Sequence, residues 1–271
     1  MRRETFEVEG HPVVDLNLPS GEATFLPGEP GTVEVQVEGS YAEGFEIEQV
    51  GGRILLRTPS GPRSRWDSFD VTVRMPPGSD VEVHAAAADL EARVGIGSLA
   101  VEVASGDLRV GDIGGDATVQ SASGDVEIGS VAGDLAVNTA SGDVRLREAR
   151  RRAVLNTASG ELGVGAALAA LAVSTQSGDV DVGRYEGEDL ECNSTSGDVR
   201  IGLAPGLALD VEIDSISGEI HSDFSTEPSG PPPPPPPPSP GESPTEGKDA
   251  TARLRVRTLS GDITLVRADG R

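Results

Sequence analysis

Short runs of alternating apolar and polar residues follow one another along most of the chain. In residues 117–121, 135–139 and 153–157 the first and third side chains are apolar and the fourth is polar, and shorter alternating runs follow at 126–128 and 144–146. Alternation with a period of two is the pattern of a half-buried β-strand. The sequence therefore predicts an all-β protein built from many short strands.

The paired runs are separated by Ser-Gly-Asp or a close variant, and this motif recurs at a nearly fixed interval. Five copies beginning at Ser105 are 18 residues apart, the next two intervals are 19 and 21 residues, and the last copy follows after 43. Their glycines are Gly106, Gly124, Gly142, Gly160, Gly178, Gly197, Gly218 and Gly261. Glycine adopts backbone angles that other residues avoid, and Asp or Ser can bind turn amides, so we interpret these motifs as structural corners.

Residues one period apart form columns of similar side chains, which is typical of a repeat architecture. One column contains Val119, Val137, Leu155 and Val173 and continues to Cys192 and Ile213; the other contains Val126, Val144, Leu162 and Val180 and continues to Val199 and Ile220. Such columns arise when coils stack at the strand spacing of about 4.8 Å. The sequence predicts a single-stranded β-solenoid, or β-helix, with 18-residue coils.

Further positions describe the coil. Gly115-Asp116 and Gly133-Asp134 lie midway between corners, which predicts two turns and two main faces per coil. Eight corners, counting Ala87-Ala88-Asp89 and omitting the last, predict a rod of roughly 35–40 Å. Seven Ser or Thr residues before the corners are predicted to point inward and bind corner amides: Ser121, Thr139, Thr157, Thr175, Ser194, Ser215 and Thr258.

The chain divides into four segments by composition and periodicity. Residues 1–80 alternate without the 18-residue period and are predicted to form an irregular β cap and the first coils, because an open solenoid end exposes strand edges. Residues 81–224 carry the repeats. Residues 225–249 contain eight consecutive prolines and are predicted to be a disordered insertion loop, with a proline ligand for an SH3-like domain as the alternative. Residues 250–271 form the final coil, which returns to close the rod.

Charge and cysteine content limit the function classes. The chain has 45 acidic and 22 basic residues, a net charge of −23, which argues against nucleic acid or an anionic membrane as a partner. Cys192 is the single cysteine, and the amino-terminal residues lack the apolar run of a signal peptide, so we expect a cytoplasmic protein. Trp66, between Arg63 and Arg65, is interpreted as a cap aromatic, with a binding spot as the alternative.

The segments 139–146 (TASGDVRL), 194–201 (STSGDVRI) and 258–265 (TLSGDITL), together with 70–83 (DVTVRMPPGSDVEV), resemble a known bacterial family. It is the family of β-strand-repeat domains labelled "putative adhesins", a domain of unknown function. The resemblance covers nearly the whole chain outside the proline segment. It implies a β-helical fold without known catalytic residues, so no catalytic residue is carried over.

Four functions remain open from the sequence. We favour a non-enzymatic scaffold that binds a protein through a flat face or a rod end, with the polar column Gln120, Asn138, Asn156, Ser174 and Asn193 on one face. A self-assembling filament is the second hypothesis, because the repeat also resembles the short coils of bactofilins. The third is calcium binding along an acidic edge that comprises Asp107, Asp125, Asp143, Asp179 and Asp198.

Catalysis is the least favoured of the four functions. His11, His84 and His221 are far apart in sequence, and no serine lies in a nucleophile-elbow motif. We therefore expect neither an enzyme nor a cofactor.

The basic run Arg147, Arg150, Arg151 and Arg152 replaces a Gly-Asp turn, and it could either neutralise nearby acids or dock an acidic partner.

Overall fold

The structure is a computed structural model that describes residues 1–58, 68–207, 209–224 and 252–268. Trp66 with its flanking arginines and the proline-rich segment 225–249 lie outside the described residues. The predictions made for them therefore stay predictions. The described residues form 23 strands and a single 3-10 turn, Ala42–Gly44.

In chain order the strands are β1 (Arg2–Glu7), β2 (Val13–Pro27), β3 (Thr32–Glu38), β4 (Glu46–Val50), β5 (Arg53–Arg57), β6 (Phe69–Met75), β7 (Ser79–Ala92), β8 (Ile96–Ser105), β9 (Leu108–Val110), β10 (Ala117–Ser123), β11 (Val126–Val131), β12 (Leu135–Ser141), β13 (Val144–Ala149), β14 (Ala153–Ser159), β15 (Leu162–Ala167), β16 (Leu171–Ser177), β17 (Val180–Tyr185), β18 (Asp189–Ser196), β19 (Val199–Leu203), β20 (Leu209–Ser217), β21 (Ile220–Ser222), β22 (Ala252–Ser260) and β23 (Ile263–Arg267).

Each repeat contributes one strand before the Ser-Gly-Asp corner and one after it, and the two strands belong to two different faces of the rod. We call the face built from β8, β10, β12, β14, β16 and β18 face A, and the face built from β9, β11, β13, β15, β17 and β19 face B. Val137 of β12 pairs with Val119 and Leu155 of the adjacent coils, in parallel and without a register shift. The predicted β-solenoid with 18-residue coils is confirmed.

The core between the faces consists of the predicted columns, and every second residue of each strand is buried in it. Its side chains are mainly Val, Leu, Ile and Ala, and each fully buried Val or Leu contributes about 1.5–3 kcal/mol. The phenylalanines of the core, Phe25, Phe45 and Phe69, are instead concentrated at the amino-terminal end. Phe45 and Phe69 pack edge to face with ring centroids 5.4 Å apart.

The amino-terminal end closes the rod with antiparallel strands. β2 runs through both faces as one complete coil and pairs in parallel with β7, which is the next complete coil. β5 stacks on the face A half of β2 and β6 on its face B half. Antiparallel β4 then extends β5, and antiparallel β3 and β1 extend β6. These antiparallel strands make this end of the rod irregular.

At the other end the order of the coils differs from the order of the chain. β22 and β23 lie between the coil β18–β19 and the coil β20–β21. Val256 therefore separates Cys192 from Ile213, and Ile263 separates Val199 from Ile220. The prediction that the last coil in sequence ends the rod is wrong, because β20–β21 is the outermost coil of the described residues.

The rod is also longer than the corner count predicted. Face B stacks in the order β1, β3, β6, β2, β7, β9, β11, β13, β15, β17, β19, β23, β21. Thirteen strands of the described residues at about 4.8 Å span roughly 60 Å. The difference arises because the cap strands, β2 and the returning coil all add layers to the stack.

Candidate functional site

The corner glycines have a conformation that excludes other residues. All eight have φ between 113° and 141°. A Cβ on Gly142 would lie 2.2 Å from the carbonyl oxygen of Gly124 in the coil below. The corner backbones of adjacent coils thus touch, so glycine is required for both conformation and space.

The structure adds a corner that the sequence interpretation missed. Ser20, Gly21 and Glu22 of β2 pair with Ala87, Ala88 and Asp89 of β7, directly below the predicted corners. Gly21 has φ 130°, like the others. The signal was available, because Ser-Gly-Glu also occurs at residues 159–161, but the cap strands separate this copy from the periodic ones.

The acidic edge is a hydrogen-bonded ladder. The amides of Asp125, Asp143 and Glu161 donate to Oδ1 of the Asp one coil earlier, over 3.0–3.1 Å. The amides of Asp198 and Asp262 donate in the same way to Asp179 and Asp198. The structure therefore brings Asp107, Asp125, Asp143, Asp179 and Asp198 onto one edge, where each carboxylate caps the amide of the adjacent coil.

Arginines occupy part of the same edge. Arg109 binds Oδ2 of Asp107 at 2.9 Å, and Arg145 binds Oδ2 of Asp143 at 2.8 Å. Among the described residues, no group of three or more His, Cys, Asp or Glu side chains is arranged to hold a metal ion. The hydrogen bonds of this edge join adjacent coils to one another, so the edge stabilises the stack.

The basic run at the second turn of the coil pairs with acids. Arg147 binds Asp112 at 2.7 Å, Arg150 binds Glu148 at 2.7 Å, and Arg151 lies 3.8 Å from Asp134. The Ser130 hydroxyl, together with Arg147, holds the pKa of Asp112 below its usual value. Of the two interpretations of this run, the contacts favour neutralisation.

Three of the seven inward hydroxyls have a different partner from the one predicted. Ser121, Thr139 and Thr157 each donate to the carbonyl oxygen two residues later, over 3.1 Å. They therefore satisfy corner carbonyls and not corner amides. These three side chains are buried in the rod, which supports a structural role for them. The hydroxyls of Thr175, Ser194, Ser215 and Thr258 are buried as well but have no hydrogen-bond partner among the described residues.

Face A carries a strip without charge, which we call the neutral strip. It comprises the outward residues of the strands β10, β12, β14 and β16, and none of these four strands contains Asp, Glu, Lys or Arg. The outward residues are Thr118, Gln120, Ala122, Ala136, Asn138, Ala140, Val154, Asn156, Ala158, Ala172, Ser174 and Gln176. Asn156 donates to Asn138 across the strip at 2.9 Å. A shallow groove of about 920 Å³ runs along the amide and alanine columns.

Face B differs in its outward residues. One column alternates in sign along the rod, with Glu91, Arg109, Glu127 and Arg145 on successive coils. The adjacent column is mostly glycine, at Gly111, Gly129, Gly165 and Gly183, and a groove of about 760 Å³ lies over both columns. The two faces therefore have the same strand stacking, but their outward side chains differ in charge.

The nucleophilic and basic groups that could serve catalysis are dispersed. Cys192 is buried in the core, and burial raises the pKa of its thiol to about 12. His84 lies 3.4 Å from Glu102 on face A, and His221 lies 3.2 Å from Glu219 in the outermost coil. The structure does not bring these histidines together.

No helix in the described part of the chain has the length and apolarity to cross a membrane.

Several solved structures are similar to this chain over nearly its whole length. A putative adhesin from Bacteroides fragilis NCTC 9343 is 13% identical with a TM-score of 0.46, and a putative adhesin from Parabacteroides distasonis ATCC 8503 is 13% identical with a TM-score of 0.37. A putative lipid binding protein from Parabacteroides distasonis ATCC 8503 is 11% identical with a TM-score of 0.37. Each alignment covers 98% of this chain and 96% of the other.

The search of curated proteins gave no match. The model of the family described as Toastrack DUF4097 matches residues 32–266, which include most of the cap and every coil from β7 onward. The chain belongs to the Toastrack DUF4097 family.

Proposed function

We propose that this protein is a non-enzymatic scaffold that binds a protein partner through the neutral strip of face A. The observation that carries the proposal is the absence of charge from four adjacent strands of a chain whose net charge is −23. Burying a charged side chain at an interface costs free energy unless it is paired, whereas alanine and hydrogen-bonded amides are buried at little cost. Covering the strip with a partner protein would therefore cost less desolvation free energy than covering a charged surface of the same size.

The dimensions of the strip suit a small protein interface. Its four strands at about 4.8 Å and seven residues at about 3.3 Å give roughly 450 Å². This is little more than half of the ~800 Å² per partner of a standard interface and lies in the range of weak, transient contacts. The partner is expected to present a flat, weakly charged polar surface that hydrogen bonds with Gln120, Asn138 and Asn156.

The experiment compares capture by three forms of the full chain immobilised on beads. Ala140→Arg places a charge within the strip, at a side chain that is exposed. Gly163→Arg adds the same charge to face B, where a Cβ would have no neighbour closer than 3.9 Å. A species from a native lysate that is retained by the wild type and Gly163→Arg and lost with Ala140→Arg supports the proposal. Equal capture by all three forms, or capture by none, contradicts it.

A further inference from the structure

We propose that the outermost coil, β20–β21, docks on the same coil of a second copy of this chain and forms a closed end-to-end dimer. This inference is independent of the neutral strip. Among the described residues, β20 pairs only with β22, and β21 pairs only with β23. The opposite edges of both strands therefore present unpaired backbone donors and acceptors, which is the usual template for adding another strand.

Within the described part of the chain, the core is also uncovered at this end. Val211 is 39% exposed, although its column neighbour Leu254 is fully buried. Ile220 is 49% exposed, although its neighbour Ile263 is fully buried. Both residues point into the rod, and no further coil of the described residues covers them.

The other end of the rod does not offer a matching surface. The outer strands there, β1 and β4, also have one unpaired edge, but they carry charged residues, namely Arg2, Arg3 and Glu4 in β1 and Glu46 and Glu48 in β4. Stacking the bare end on this cap would bring unlike surfaces together. A second copy related by a two-fold axis instead places β20 antiparallel to β20 and β21 antiparallel to β21, with both apolar columns facing inward. Because the described residues expose inward-pointing apolar side chains at this end and charged residues at the other, assembly is expected to stop at two copies.

The charges of the outermost coil permit this approach. Glu212 is bound by Arg255 at 3.2 Å and by Arg257 at 3.6 Å, and Asp214 lies 3.5 Å from Arg257. These arginines reduce the repulsion between the acidic residues of two facing β20 strands.

Light scattering and small-angle X-ray scattering of the full chain test the proposal. At high micromolar concentration the expected mass is twice the 27.9 kDa of one chain. The strand stack is expected to lengthen from roughly 60 Å to roughly 120 Å, because end-to-end docking doubles the number of layers. A monomer at every concentration, a side-by-side dimer without lengthening, or an open polymer each overturns the proposal.

Three variants then locate the contact. Val211→Lys and Ile220→Lys place lysine on the bare edge, at side chains that are already exposed, and are expected to raise the dimer dissociation constant at least tenfold. Ile216→Lys is the matched control, because Ile216 is 82% exposed but points outward from face A; it is expected to leave the dimer unchanged. Circular dichroism establishes that each variant is folded. If Ile216→Lys dissociates the dimer and the edge variants do not, the contact lies on face A and the proposal is wrong.

Discussion

Nε of Arg255 donates a hydrogen bond to Oε2 of Glu212 over 3.2 Å, although the two residues are 43 positions apart in the chain. The outward residues Arg253, Arg255 and Arg257 of β22 lie between two acidic strands. On one side they face Asp189 and Glu191 of β18, and on the other Asp210, Glu212 and Asp214 of β20. Stacking in chain order would place the two acidic strands side by side. The returning coil β22–β23 separates them, so the observed order of coils places basic residues between acidic ones.

Reversing the charge of Arg255 should loosen the end of the rod. Arg255→Glu would place a third carboxylate between Glu191 and Glu212, and like charges about 5 Å apart in water repel by roughly 0.8 kcal/mol. Because these side chains are half exposed, we expect the free energy of unfolding to fall by only about 1 kcal/mol. Hydrogen exchange should accelerate in β20 and β21. The double variant Arg255→Glu/Glu212→Arg should recover part of the loss; no recovery would contradict the charge argument.

The corner glycines should tolerate no side chain. Gly142→Ala combines a φ of 120° with a Cβ 2.2 Å from a carbonyl oxygen, so we expect a loss of about 3 kcal/mol in a denaturant titration. Gly163→Ala, in β15 of the same repeat region, has no such contact and should change stability by less than about 1 kcal/mol. Equal effects of the two substitutions would show that corner geometry is not the cause.

The aspartate ladder lacks one hydrogen bond at Glu161, and a substitution that supplies it should stabilise the protein. Asp143 accepts the amide of Glu161, but no hydrogen bond joins the Glu161 carboxylate to the amide of Asp179 in the described structure. Glu161→Asp should restore that bond and raise the free energy of unfolding by about 0.5–1.5 kcal/mol, and Asp143→Ala should lower it by a similar amount. Thermal melts of both variants measure this. A Glu161→Asp protein no more stable than the wild type would mean that the ladder contributes little.

Stability should decline at alkaline pH through Cys192. Burial raises the pKa of its thiol from 9.0 to about 12. Between these values the unfolded chain releases a proton that the folded chain retains, so the free energy of unfolding falls as pH rises, by up to about 1.4 kcal/mol per pH unit. Denaturant titrations at pH 8 and above measure the slope. Cys192→Val, which repeats the valine of Val173 and Val256, should have a shallower slope; identical slopes would exclude the thiol.

Much of the fold follows from the sequence, because an 18-residue period fixes which residues lie above one another. Val119 and Val137, or Gly124 and Gly142, could be paired without coordinates. The period could not reveal the position of β22, because the long segment between β21 and β22 lets the chain return to a different layer. The signal lay in the charges, since Arg253, Arg255 and Arg257 match the acidic residues of both neighbouring strands.

The candidate site was only partly predictable. The column through Asn138 and Asn156 was recognised as a polar stripe, but a stripe gives no reason to prefer one face over the other. That reason appears when β10, β12, β14 and β16 are placed side by side and their outward residues are all uncharged. The acidic edge illustrates the reverse case. Spacing alone allowed a calcium site, whereas the structure shows the aspartates binding amides of adjacent coils.

Binding to the neutral strip should depend little on salt, and this dependence tests the proposed function most directly. The partner captured by the wild type is titrated against the wild type, Ala140→Arg and Gly163→Arg at 50 mM and 500 mM sodium chloride. An uncharged interface predicts a dissociation constant that changes less than about threefold with salt, since screening acts on charges. It also predicts at least tenfold weaker binding by Ala140→Arg alone. Binding that is lost at high salt, or weakened equally by Gly163→Arg, would contradict the assignment of the neutral strip as the interaction surface.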